Sequence, residues 1–195
     1  MTSPSSIAAF ASAVRASRPR CGPVRLVAID GHAGSGKTGF AECLAAELGS
    51  APILHLDDIA TDDGFFDWFD RLHTGVLVPF AAGVAATHDV YDWTAHGCIG
   101  RRAIPAAPVV LIEGVGAGRR AVRLYTVARV WMDTDPEESW RRGRLRDGPA
   151  QAEFWDRWIP SELRHFAADP SREHADTLVR GTDYGYEVRP AFPRL

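Results

Sequence analysis

Lysine is almost missing from this chain: of 22 lysine and arginine residues only one, Lys37, is lysine. Heavy use of Ala, Arg, Gly and Pro fits a GC-rich genome that favours arginine codons. A lysine that persists in that background is either a chance survivor or a residue arginine cannot replace. Arginine is a planar fork, whereas lysine is a compact point charge on a thin stem. Cysteine is scarce too. Cys21, Cys43 and Cys98 are odd in number and widely spaced, without a C-x-x-C pair, so neither a disulfide framework nor a zinc site is suggested. No apolar run approaches the roughly 18 to 20 residues of a membrane span. A basic excess is also lacking: the net charge of -3 argues against a dedicated nucleic-acid binder. The first residues lack the basic start and apolar core of a signal peptide, so a cytoplasmic setting is expected.

What remains is the composition of a globular domain. Its 195 residues, 46% of them hydrophobic, suffice for one well-buried α/β unit. Helical spacing of Ile7, Phe10, Ala11 and Val14 predicts an N-terminal helix within 5–17, with Ser5 or Ser6 as cap. Apolar runs at 24–29, 53–56, 109–112, 128–132 and 175–179 predict buried strands. Helical patterns lie between them, at 37–48, 65–72, 119–125, 136–146 and 152–168. Alternating strands and helices imply a five-stranded parallel sheet flanked by helices, with the ligand along the carboxyl edge of the strands. The core is expected to span 24–182 and the segment 183–195 to be a surface tail.

The sequence Gly31-His32-Ala33-Gly34-Ser35-Gly36-Lys37-Thr38 matches G-x-x-x-x-G-K-[ST] in full. Its glycines let the backbone curl so that successive N–H groups face phosphate oxygens, and the following helix adds its positive end. Lys37 is then placed to reach the β- and γ-phosphates of ATP, and the Thr38 hydroxyl to sit on Mg²⁺. A strand reads before the motif and a helix after it, which is the context the motif requires.

Two further strands end in acids. Val109-Val110-Leu111-Ile112-Glu113-Gly114 puts Glu113 at the carboxyl edge, as a magnesium partner or a simple turn acid. Ile53-Leu54-His55-Leu56-Asp57-Asp58 puts two acids at another strand end. One of them could take the proton of an attacking hydroxyl while the other caps a helix; Asp57 is the preferred base, with Asp58 as its alternative. Arg142 and Arg146 are four apart on a helix and share a face, suited to phosphoryl charge or to a solvated basic surface. Phe65, Phe66, Trp68, Phe69, Tyr91, Trp93, Phe154, Trp155 and Trp158 fit either the walls of an acceptor site or plain packing.

These residues, in this order, resemble the uridine kinase (uridine–cytidine kinase) branch of P-loop small-molecule kinases. Beyond the phosphate loop, the resemblance rests on Tyr91-Asp92-Trp93-Thr94-Ala95-His96, on the strand ending in Glu113-Gly114, and on Asp133-Thr134-Asp135 followed by Arg142 and Arg146. It also takes in Ala175-Asp176 through Arg180-Gly181, and so covers about 24–182. The resemblance implies a nucleoside kinase using ATP and Mg²⁺, with Asp57 as base and Glu113, Thr38 and Asp57 around the metal. Tyr91 and His96 would face the nucleobase, Arg142 and Arg146 would close over the phosphates, and Arg180 would lie near adenine. Departures fall on the acceptor side. Where the family has Asp-His-Pro after the catalytic acid, this chain reads Thr61-Asp62-Asp63-Gly64, which leaves Asp63 or Asp67 as stand-ins for the ribose acid. Cys98 stands where the family has arginine, and the lid after Asp147 is short. A small-molecule acceptor is expected, with pantothenate, a sugar phosphate, a nucleotide or a specialised metabolite as rivals to a nucleoside, and a nucleotide-driven switch as the non-kinase alternative.

Overall fold

Arg25–Asp30 form β1, and every residue after Arg25 is buried. Successive side chains of a strand point to opposite faces. Leu26 and Ala28 therefore join one core with Val110, Ile112, Trp68, Leu77 and Phe80, while Val27 and Ile29 join another with Phe40, Leu44, Val130 and Val179. A strand buried on both faces must be central, with helices on each side.

The computed structural model describes residues 6–191. In chain order its elements are α1 (Ile7–Ala16), β1, α2 (Lys37–Glu47), β2 (Ile53–His55), α3 (Phe69–Leu72), α4 (Val78–Ala81), β3 (Ala86–Asp92), β4 (Gly97–Ile104) and β5 (Val109–Glu113). Then come α5 (Arg120–Arg123), β6 (Thr126–Met132), α6 (Pro136–Asp147), α7 (Ala152–Ala168), β7 (Thr177–Thr182) and β8 (Gly185–Pro190). The main sheet has the order β2-β5-β1-β6-β7-β8. Its first five strands are parallel, as the alternating pattern predicts, and β8 adds an antiparallel edge. Among the described residues no helix is long and apolar enough to cross a membrane.

Capping follows local chemistry. Ser6 Oγ accepts from the Ala9 amide at 3.1 Å and starts α1; Ser5 lies outside the described residues. Asp135 caps α6 by accepting from the Glu138 amide at 3.1 Å, and Pro136 fills the first helical position, where its missing N–H costs nothing.

Three sequence expectations are corrected. The segment 183–195 is not simply a tail: Gly185–Pro190 form β8, with Val188 buried opposite Val179. Only one of its side chains is fully buried, so it lacks the apolar run of an internal strand. The helix expected over 65–72 starts only at Phe69, then continues through a widened π turn at His73–Leu77 into α4. Phe65 and Phe66 instead pack on Trp158 of α7, with ring centroids 5.0 and 5.4 Å away. The segment 91–96, expected only as a motif, lies at the tip of an antiparallel hairpin formed by β3 and β4.

Two measurements test this packing. Val188→Asp would bury an unpaired charge on β8 and should cost more than about 2 kcal/mol in urea unfolding, whereas the exposed Glu187→Ala should stay within about 0.5 kcal/mol. His165, stacked on Phe66 at 4.3 Å, is pushed down by burial to about 4 from 6.5. The unfolded chain therefore takes up a proton that the folded chain refuses, and stability should fall as pH drops from 6.5 towards about 4. Replacing His165 with Leu should flatten that slope in thermal unfolding measured across the same window.

Candidate active site

Because β1, β2 and β5 run parallel, their carboxyl ends meet along one edge, and each delivers a functional segment there. β1 leads into the phosphate loop, whose Gly31, Gly34 and Gly36 have φ of 148°, 83° and 94°. At Gly34 a side chain is excluded twice, by this φ and by the Ser139 carbonyl of α6, into which a Cβ would run. The loop opens α2 at Lys37, a residue only 8% exposed. Its Nζ donates to the carbonyls of Gly31 at 3.1 Å and His32 at 3.0 Å. A cation so enclosed, held only by neutral acceptors, is arranged to receive an anion.

Beside it, Thr38 Oγ1 donates to Glu113 Oε1 at 3.2 Å, and His55 Nδ1 lies 2.5 Å from the same oxygen. Glu113 ends β5 and is 5% exposed. Its hydrogen bond raises the His55 pKa, against the opposing effect of burial, with smaller contributions from the charges of Glu113, Asp58 and Asp57. Sequence reasoning passed over His55, although its place two residues before Asp57 on the same strand end was the available signal. Among the described residues no group of three or more His, Cys, Asp and Glu side chains is placed to hold a metal alone. Mg²⁺ typically takes one or two protein oxygens and completes its shell with water and phosphate, so Thr38 and Glu113 fit a metal carried in with a nucleotide.

A cavity of about 550 Å³ opens over these groups, and Lys37, Thr38, Asp57, Glu113, Arg142 and Arg146 all line it. Asp57 is exposed to the cavity yet enclosed by its walls. That enclosure, with the Glu113 charge, raises its pKa, while Lys37, His55 and Arg146 act in the opposite direction. Asp58 is engaged elsewhere, in an ion pair with Arg102 of the β3–β4 hairpin. The two adjacent acids thus separate by direction: Asp57 faces the cavity and Asp58 anchors the hairpin. Trp93 Nε1 donates to the Asp57 carbonyl at 2.9 Å, which draws the hairpin tip over the same segment. Arg142 and Arg146 reach the cavity from α6 and are paired with Glu138 and Asp147 at 2.7 and 2.6 Å.

The far side of the cavity is built from Asp62, Trp93, His96, Phe154, Arg157 and Trp158. Asp62 is the hub. Tyr91 Oη donates to it at 2.9 Å, His96 Nδ1 pairs with it, and Arg157 lies 3.6 Å away. Burial works against its charge, but the His96 and Tyr91 hydrogen bonds outweigh burial and hold its carboxyl below the usual range. His96 reaches this position with φ of 53°, a left-handed conformation at the hairpin turn. Tyr91 supports Asp62 without itself lining the cavity. Asp63 and Asp67 line a second, more open groove, to which Asp62 and Arg157 also contribute, and of the three acids in the 61–67 segment only Asp62 lines the cavity as well. Arg180 is exposed on β7, opposite Glu187, and does not line the cavity. Of the aromatic residues, Trp68 is core at 1% exposure, while Trp93, Phe154, Trp155 and Trp158 are wall.

No family model matches the sequence, and no curated protein matches it. Solved structures do. The chain is similar to a possible uridine kinase from Bacillus stearothermophilus, with 18% identity and a TM-score of 0.61 over 88% of this chain and 96% of that one. It is also similar to a candidate fructose transport system kinase from Silicibacter sp. TM1040, with 19% identity and a TM-score of 0.53 over 87% and 89% of the two chains. At such identities the likeness is one of fold: an α/β arrangement with a mostly parallel central sheet flanked by helices.

Proposed function

We propose that this chain is an ATP- and Mg²⁺-dependent kinase that transfers the γ-phosphate to a hydroxyl of a nucleoside or nucleoside-like small molecule. One observation carries the reading. A single cavity holds a phosphate loop with its enclosed Lys37 and a carboxylate, Asp57, that has no ion-pair partner among the described residues. A nucleotide site alone has no need of the second group.

In this reading the loop amides of residues 34–38 bind the phosphate oxygens of ATP, and Lys37 Nζ leaves the loop carbonyls to meet them. Thr38 and Glu113 hold the metal, which when bound neutralises phosphate charge. His55 orients Glu113 through its hydrogen bond. Asp57 accepts the proton of the acceptor hydroxyl; its raised pKa moves it towards the range in which a carboxylate works as a base. Arg142 and Arg146 exchange Glu138 and Asp147 for the transferring group, where guanidinium forks match phosphate oxygens. Catalysis is then chiefly positioning and charge neutralisation.

The acceptor end favours a planar molecule with polar edges. Trp93, Phe154 and Trp158 supply flat apolar walls, and Asp62, His96 and Arg157 supply an acceptor and donors between them. Asp62 replaces Asp63 as the acid proposed to meet the acceptor, while Tyr91 acts by holding Asp62.

Incubating the protein with Mg-ATP and a panel of nucleosides, sugars and pantothenate tests this reading, with ADP release and product mass as readouts. ADP should appear only when a hydroxyl acceptor is present, with uridine or cytidine the strongest. Asp57→Asn should lower kcat by about 10²- to 10⁴-fold while leaving ATP binding in place. Tight ATP binding without stimulation by any nucleoside would sink the nucleoside assignment, and slow hydrolysis indifferent to Asp57 would sink the kinase.

A further inference from the structure

Glu162 has no exposed surface, lies within α7, and has no part in the chemistry proposed above. Its carboxylate collects four donors. His32 Nδ1 lies 2.5 Å and Trp140 Nε1 3.0 Å from Oε1, while the Ala33 amide lies 3.1 Å and Trp158 Nε1 2.6 Å from Oε2. These donors belong to three segments: His32 and Ala33 to the phosphate loop, Trp140 to α6, and Trp158 to α7 itself. Burial opposes the charge, but His32, the Ala33 amide and Lys37 outweigh it and hold Glu162 below the usual carboxyl range. Ionised and dry, such a group is tolerable only when each oxygen is well supplied with donors, as both are here.

The arrangement does more than fill the interior. Trp140 sits on the helix that carries Arg142 and Arg146, and the backbone of that helix presses so closely on the loop that Gly34 admits no side chain. The His32 ring is enclosed edge-on by Trp131, Trp140 and Phe166 at centroid distances of 5.4, 5.6 and 5.1 Å. A movement of His32 or Ala33 as the loop takes up phosphate therefore reaches a rigid group shared with α6 and α7. Interfaces packed this way shift between discrete arrangements and do not yield gradually.

We propose that Glu162 is a positioning residue that couples the phosphate loop to the lid helices, so that filling the loop is transmitted through this carboxylate to the helix bearing Arg142 and Arg146. The inference rests on the loop being an ATP site, as proposed above. Its substrate-independent readout is the pair of indole N–H groups that share the carboxylate.

The test follows the Trp140 and Trp158 indole N–H signals by NMR in the full chain, assigned through Trp140→Phe and Trp158→Phe, with and without Mg-ATP. In the parent protein both signals should move on nucleotide addition. Glu162→Gln keeps the size but loses the charge; its ATP affinity should drop by at least about fivefold, the lower end of coupling between linked sites, and its indole signals should stop responding. Should that variant fail to fold, His32→Gln, which keeps Glu162 and removes the imidazole that links it to the loop, should blunt the same response. Bound ATP with unmoved indole signals in the parent would overturn the coupling and leave the ATP site intact. A full response in either variant, with stability alone reduced, would make Glu162 a structural staple and overturn the proposal. A parent protein that binds no ATP would overturn the proposed function and the coupling together.

Discussion

The carboxylate of Asp30, at the end of β1, accepts the amides of Gly31, Gly116 and Gly118 at 2.7, 2.8 and 2.8 Å, and the site is built on those hydrogen bonds. They fasten the first residue of the phosphate loop to the segment that follows β5, the strand that ends in Glu113. Burial raises the Asp30 pKa, and the three amides offset that rise only in part. With β1 and β5 locked together at their carboxyl ends, Lys37, Thr38 and Glu113 have little freedom to separate. Parallel pairing of β2 with β5 then brings His55 opposite Glu113, and Asp57 follows two residues later.

On this frame the remaining parts divide the labour. The β3–β4 hairpin closes the far side of the cavity and is anchored by Arg102 on Asp58 and by Trp93 on the Asp57 carbonyl. α7 adds Phe154, Arg157 and Trp158 to that same side, α6 brings Arg142 and Arg146 to the cavity, and Glu162 bridges both helices to the loop. Two buried carboxylates, Asp30 and Glu162, thus grip the phosphate loop from opposite directions, one through the sheet and one through the lid. Neither faces the cavity.

What could be read from the sequence divides along the same line. The phosphate loop, β1, α2, α6 and α7 were legible because local signals and burial agree there: unbroken apolar runs, glycines at positive φ, and a helix with an Asp cap and an N1 proline. The hairpin was not, since most of β4 is exposed and carries Arg101 and Arg102 in place of an apolar face. β8 was hidden for a similar reason, its place being fixed by pairing with β7 more than by its own hydrophobicity. On the acceptor side Asp62, Asp63 and Asp67 look alike in sequence. Only the fold shows that His96 and Tyr91 converge on Asp62. Glu162 left no trace, because one acid in an amphipathic helix carries no sign that four donors from three segments will meet it.

The central claim is that Lys37 stands enclosed at the head of α2 to meet a nucleotide's phosphates with a compact charge, which would explain why it alone escaped replacement by arginine. Isothermal titration of Mg-ATP into the parent protein and into Lys37→Arg tests this directly. The arginine variant should fold normally and lose at least about tenfold in affinity, because a planar fork does not reproduce the compact point charge that Lys37 holds against the loop carbonyls. Equal binding of Mg-ATP by the two proteins would contradict it.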